Sequence, residues 1–255
     1  MRYLIISDLH GNREALEAVL RDAAETAGGY DRAVCCGDLC DYGPDSAYTI
    51  DWARTRSSAV IRGNHDRICA GLDSMDEFTP LAQASARWTM EHLSPPDRNY
   101  LRELPTGPMP VDDVLVLVHG APYDEDEYVT NVPEAEEVFG RLAGTEHVEL
   151  PHFFGHTHLQ GAFVRTGGRV REITRPRAAE PETRIELEPG AAYLINAGAV
   201  GQPRDGDPRA AYALFDTAER EVVLRRVSYD LAATQRKIEA AGLPTRLATR
   251  LASGK

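Results

Sequence analysis

Five short blocks follow one another along the chain: Asp8-Leu9-His10, Gly37-Asp38, Gly63-Asn64-His65-Asp66, His119-Gly120 and Gly155-His156-Thr157-His158. They supply carboxylates, imidazoles and one amide oxygen, the mixed donor set that holds two divalent transition metals. An Asp-x-His or a His-x-His taken alone is common. Here five of the eight histidines fall inside the blocks, each beside a glycine or another donor, and no packing argument accounts for that placement. Asp8 and His10, two apart at a strand end, are expected to project to one side and grip one metal together. Asp38 is the candidate bridge, because a carboxylate has two oxygens and can neutralise both ions. Asn64 adds a neutral amide oxygen, and His119, His156 and His158 complete the shells. Such sites suit manganese, iron, zinc, nickel or cobalt better than magnesium or calcium. The chemistry that follows is hydrolysis: two cations about 3.5–4 Å apart can activate a bridging hydroxide and stabilise an in-line displacement at phosphorus.

Each block directly follows a short apolar run, at residues 3–6, 33–36, 59–61, 114–118 and 153–154. Runs of this length bounded by Gly, Asp and Asn read as buried strands. In an open α/β sheet, ligands collect beyond the carboxyl ends of the strands, so all five blocks are expected on one edge. Asn12 caps an expected helix with Ala15, Leu16, Val19 and Leu20 on one face, ended by Gly28-Gly29. A second helix at 46–56 links the strands at 34 and 60, and this alternation predicts parallel strands joined by helices. Residues 66–111 turn helical, with Thr79-Pro80 and Ser94-Pro95-Pro96 as helix starts. From 153 onward strands dominate: a hairpin of 161–165 and 169–173, then 185–187, 193–196, 212–216 and 221–227. The stretch 174–183, with Pro176 and Pro181, reads as an exposed connection. A last helix at 230–241 precedes a tail expected to fray.

With 255 residues, 42% hydrophobic and 27% charged, the chain is sized for one α/β domain over 1–255, its core at about 1–227 and a C-terminal helix and tail at 228–255. Net charge is −12 with no basic stripe, which argues against long nucleic acids as partners. No apolar stretch approaches the ~20 residues of a membrane span, and no signal segment precedes the first strand, so a cytoplasmic protein is expected. Cys35, Cys36, Cys40 and Cys69 lack the spacing of paired zinc knuckles and read as buried, reduced thiols. The run Asp124-Glu125-Asp126-Glu127 reads either as a solvated loop or as a lid that repels polyanions. His92, His147 and His152 lie outside the blocks and read as ordinary surface or core residues.

Over roughly residues 1–227 the ordered blocks resemble those of the calcineurin-like metallophosphoesterases. The resemblance implies a four-layer α-β-β-α sandwich, two central mixed β-sheets flanked by helices, with the metals at the carboxyl ends of strands. It also implies that Asp8, His10, Asp38 and His158 hold one ion and Asp38, Asn64, His119 and His156 the other. His65 would be the non-ligand histidine at the scissile oxygen, acting as general acid, and Asp41 matches the position of the carboxylate that orients it. One departure stands out: Tyr42 occupies the position where phosphoprotein phosphatases of this superfamily carry a phosphate-gripping arginine. A Gly-rich loop at 196–209 resembles that of small bacterial phosphoesterases, and its Arg204 is the candidate replacement contact. The competing role for Arg204 is a pairing with Asp205 or Asp207 that fixes the loop. The expected substrate is a small phosphate ester or nucleotide, mono- or diester. The alternatives are a phosphoprotein phosphatase, a dinucleoside-polyphosphate hydrolase, or a catalytically inactive scaffold.

Overall fold

The computed structural model describes residues 1–26, 28–174, 176 and 180–255. Its elements run β1 (Arg2–Ile6), α1 (Arg13–Thr26), β2 (Arg32–Cys35), α2 (Ser46–Arg56), β3 (Ala59–Val60), α3 (Asn64–Cys69), α4 (Pro80–His92), α5 (Pro95–Glu103), β4 (Met109–Val111), β5 (Leu115–Leu117) and α6 (Val132–Leu142). They continue as β6 (His152–Phe154), β7 (Gly161–Thr166), β8 (Arg169–Thr174), β9 (Glu182–Glu186), β10 (Ala192–Asn196), β11 (Ala210–Asp216), β12 (Glu221–Val227), α7 (Leu231–Ala240) and α8 (Thr245–Leu251). Of the connection expected at 174–183, residues 175 and 177–179 lie outside the described residues.

The strands form two six-stranded mixed sheets, ordered β3-β2-β1-β11-β12-β9 and β4-β5-β6-β10-β7-β8. Parallel pairing joins β1 to β2 and β2 to β3 in the first sheet, and β5, β6 and β10 in the second. The two-residue period of a strand sorts side chains between layers. Tyr3, Ile5, Val34 and Cys36 turn into the core shared by the two sheets, where they meet Leu115, Leu117, Phe153 and Ile195. Leu4, Ile6, Ala33 and Cys35 point the opposite way, under α1 and α2. On the far side, Val116, Phe154 and Leu194 pack against Ala135, Val138, Phe139 and Leu142 of α6. The result is the α-β-β-α sandwich, and the sheets align so that β1, β2, β3, β5 and β6 all end at the same rim.

Helix starts follow side-chain chemistry. Asn12, Thr79, Ser94 and Asn131 each accept a backbone N–H of the first turn, at 3.2, 3.3, 3.3 and 3.1 Å, a bond that typically contributes about 1 kcal/mol. The C-terminal tail does not fray. Leu247, Ala248 and Leu251 of α8, with Leu243 just before it, are buried against Tyr42 and α7, with Pro244 at the N-cap of α8. Among the described residues no helix is long and apolar enough to cross a membrane.

Candidate metal centre

Past the end of β1 the chain leaves extended geometry. Asp8 and His10 lie in the left-handed region, at φ 55° and 45°, as do Asp38 at 55° and His156 and His158 at 59° each. The side-by-side projection expected from strand alternation is therefore not what aligns Asp8 with His10; a left-handed turn does. Such backbone is costly for residues other than glycine and persists where the surroundings over-determine it. Here Asp8 N–H donates to Gly37 O at 3.0 Å and His10 N–H to Asp38 O at 3.1 Å, so the first two blocks lock together. Glycine is required where the blocks touch. A Cβ on Gly63 would overlap Asp38 Oδ1, and one on Gly155 would overlap Ser7 Oγ and Asp8 Oδ2.

Four imidazoles converge, and each is oriented by a main-chain carbonyl. His10 Nδ1 donates to Cys40 O at 3.0 Å, His158 Nδ1 to Gln202 O at 2.6 Å, His119 Nδ1 to Cys36 O at 2.7 Å and His156 Nε2 to Asp126 O at 3.0 Å. A carbonyl only accepts, so in each ring, when neutral, that nitrogen carries the proton and the other offers its lone pair. The free nitrogens point inward. His10 Nε2 and His158 Nε2 stand 3.2 Å apart, with Asp8 Oδ1 3.2 Å from the latter and Asp38 Oδ2 3.7 Å from the former. On the other side, His119 Nε2 and His156 Nδ1 each lie 3.1 Å from Asn64 Oδ1, and His119 Nε2 lies 3.4 Å from Asp38 Oδ2. Two donor groups thus meet at Asp38. Its Oδ1 accepts from His65 N–H at 2.9 Å, while Oδ2 is buried with no hydrogen-bond partner. A buried, unpaired carboxylate oxygen is expensive unless a cation neutralises it, and facing lone pairs at 3.2 Å call for the same remedy. Asp8, His10, Asp38 and His158 are mutually close enough to hold one ion.

For three of the four rings electrostatics point the same way. Burial takes His10 down to about 3 and His156 to about 4, and it holds His158 well below its ordinary value, which leaves neutral rings suited to ligation. Burial and the charge of Asp38 raise Asp8. Asp38 itself is held well below the usual carboxylate range, because His119 and His65 outweigh its burial. For His119, burial acts downward and is overcome by Asp38, which lifts it to about 10.

His65 sits beside this centre, not in it. Its Nδ1 lies 2.7 Å from Asp41 Oδ2. The other oxygen of Asp41 is held by the Tyr42 amide at 2.7 Å and by the Ser85 hydroxyl. Tyr42 and Phe78 flank the His65 ring at 4.7 and 4.5 Å between centroids. Burial lowers the pKa of His65, but the charge of Asp38 and the bond to Asp41 raise it more. Arg204 pairs with neither carboxylate of its loop, since Asp205 bonds Arg226 and Asp207 bonds Arg209 at 2.6 Å. Its Nη2 instead lies 3.4 Å from the Tyr42 hydroxyl, and its guanidinium 5.7 Å from the Tyr42 ring.

The acidic run is neither free solvent loop nor bare negative lid. Glu125 pairs with Arg62 at 3.3 Å and with Arg67, and Asp126 pairs with Arg67 at 2.8 Å. The tethered loop brings the Asp126 carbonyl and the Tyr128 ring, 4.2 Å between centroids, onto His156. Residue types do not announce a carbonyl, so only the pairing of acidic run with Arg62 and Arg67 could have pointed to it. All four cysteines are free and buried, and burial raises every thiol, with Cys69 reaching about 11 against the opposing bond from Cys40.

The model of the family described as calcineurin-like phosphoesterase matches residues 1–160. A metallophosphoesterase from Sphaerobacter thermophilus is 36% identical, with 100% of this chain and 99% of that chain covered and a TM-score of 0.83. A hypothetical protein from Pyrococcus horikoshii OT3 shares the fold at 19% identity, with coverage of 100% and 98% and a TM-score of 0.76. An uncharacterized protein of Methanocaldococcus jannaschii is 29% identical over 98% of this chain and 97% of its own length.

Proposed function

The chain belongs to the calcineurin-like phosphoesterase family, and from that premise we propose that it hydrolyses small phosphate esters, mono- or diesters, at a centre of two divalent transition-metal ions. The observation that carries this reading is Asp38 Oδ2, buried and unpartnered where two donor groups meet. Asp8, His10 and His158 would share one ion with Asp38; Asn64, His119 and His156 would share the other. Manganese, iron, zinc, nickel and cobalt all suit such donors. Bound there, the ions supply Lewis acidity and lower the pKa of an attacking water.

The chain's own residues do the remaining work. Asp41 accepts the Nδ1 proton of His65 at 2.7 Å, which fixes the ring and favours its protonated form, and Nε2 then delivers a proton to the leaving oxygen. Tyr42 and Phe78 shield that ring from water. Arg204, unpaired and reaching the Tyr42 hydroxyl, brings a guanidinium to the neighbourhood where an arginine at position 42 would have put one, and grips a nonbridging oxygen. The test is metal loading followed by a panel of esters that includes p-nitrophenyl phosphate and bis(p-nitrophenyl) phosphate. Two Mn²⁺ per chain and hydrolysis that EDTA abolishes are expected. One ion or fewer at saturation, with hydrolysis surviving EDTA, would refute it.

A further inference from the structure

The carbonyls that aim His10, His119 and His158 stand in segments fastened to the rim by main-chain bonds: Cys36 N–H donates to Ile6 O at 2.9 Å, Gly11 N–H to Leu39 O at 3.2 Å and Gly201 N–H to Asp8 O at 2.8 Å. The carbonyl that aims His156 stands in a loop without such fastening. Among the described residues, the main-chain bonds of 121–128 run within the loop, Ala121 and Asp124 exchanging theirs at 2.9 and 3.1 Å. Side chains seat this loop instead. The least exposed of its charged groups is Glu125, at 12%, which meets Arg62 at 3.3 Å and also Arg67, themselves only 16% and 17% exposed. Asp126 adds a pair with Arg67 at 2.8 Å, but its carboxylate is 47% exposed. A pair so open to water contributes little, whereas removing one partner of a mostly buried pair leaves the other charge uncompensated.

The partners of Glu125 stand on the frame of one donor group. Arg67 lies on α3, the helix that opens with Asn64, and Arg62 directly precedes the Gly63 that caps it. The loop leaves from His119-Gly120 and folds back on it so closely that a Cβ on Gly120 would come within 2.6 Å of Glu127 O and 2.7 Å of Glu125 O. It then lays Asp126 O and the Tyr128 ring against His156. Asn64, His119 and His156 are therefore all joined through Glu125. We propose that Arg62, Arg67 and Glu125 are positioning residues that clasp this loop to α3, hold the acceptor for His156 Nε2–H and keep its Nδ1 turned toward Asn64. The clasp sets the affinity of the ion at Asn64, His119 and His156 and not that of the ion at Asp8, His10 and His158. The proposal rests on the two-ion reading above and adds which residues tune one ion apart from the other.

Metal binding tests it without relying on turnover. In calorimetric titrations of the full chain with Zn²⁺, Glu125→Gln should weaken one ion on the order of tenfold and the other by less than about threefold, within the range seen when groups behind a metal ligand are removed. Histidine side-chain NMR in the same titration identifies the weakened ion, since His119 and His156 report one and His10 and His158 the other. Arg67→Gln should act alike, and Asp126→Asn should change neither ion by more than about threefold. In the metal-free protein at pH 8, long-range ¹H–¹⁵N correlations should show His156 as the Nε2–H tautomer in the wild type and as a mixture in Glu125→Gln. A merely structural loss would weaken both ions equally. That result, unchanged binding of both ions, or an unchanged His156 tautomer would overturn the clasp. If either change unfolds the chain, Arg67→Lys, which keeps the charge but not the fork, carries the same comparison with a smaller loss. Uptake of a single ion by the wild type would refute the two-ion reading, and the tautomer comparison would still decide the clasp.

Discussion

His65 and Asp41 make the sharpest case at the scale of single residues, because a carboxylate at 2.7 Å from Nδ1 determines which ring nitrogen is free to act. His65→Ala should keep both metals yet lose on the order of 10²-fold or more in kcat, as removal of a general acid does. The loss should shrink for p-nitrophenyl phosphate relative to an alkyl phosphate, whose leaving group needs the proton more. Equal losses on the two, at unchanged metal content, would reduce His65 to a positioning role. Asp41→Asn should act in the same direction, more weakly, and add nothing to His65→Ala. Donor types at 8, 10, 38, 64, 119, 156 and 158 were legible in the sequence, since oxygen and nitrogen chemistry belongs to the side chain itself. The left-handed φ at five of them was not. Asp and His do visit that region, but nothing local demands it; the interlocked backbone of neighbouring blocks does.

Among elements, the tightest constraint is the approach of the β6 end to the β1 end. Gly155 passes so close to Ser7 and Asp8 that any side chain must displace one of them. Gly155→Ala should therefore leave a folded protein that binds one ion weakly, with the loss falling on the Asp8, His10 and His158 group. Titration with Mn²⁺ followed by circular dichroism reads both, and unimpaired binding of two ions would contradict it. The caps at Asn12, Thr79 and Ser94 were legible because capping is local. Two helices were not. The apolar stripe of α6 at Ala135, Val138, Phe139 and Leu142 follows directly on an acidic run that reads as loop. For α8, Gly242 and Pro244 signal a stop, and seven residues hold helical form only because Leu247 and Leu251 find Tyr42 and α7 to cover them.

For the molecule as a whole, acid should be felt through β6. His152 is buried at the start of that strand, and burial, with a smaller contribution from His147, lowers it to about 4 against the pull of the Leu150 carbonyl. A histidine whose folded pKa lies below its unfolded value near 6.5 binds its proton more readily in the unfolded chain. Stability is then complete above about pH 6.5 and declines as pH falls through 6.5 toward 4, by roughly 2–4 kcal/mol in all. His152→Asn can keep a donor for Leu150 while removing the titration, so urea midpoints measured at pH 7 and pH 4.5 should differ less in the variant than in the wild type. An unchanged difference would show that acid acts elsewhere. How the two sheets meet was legible only through the resemblance, because strand patterns say which face is buried and not what buries it. The carbonyls of Cys36, Cys40, Asp126 and Gln202, which aim the four imidazoles, carry one last implication. A point mutation can delete a side chain but never a peptide oxygen, so the aim of the site is heritable independently of residue identity at those four positions. Libraries randomised at 36, 40, 126 and 202 should retain far more metal-binding clones than libraries randomised at 10, 119, 156 and 158.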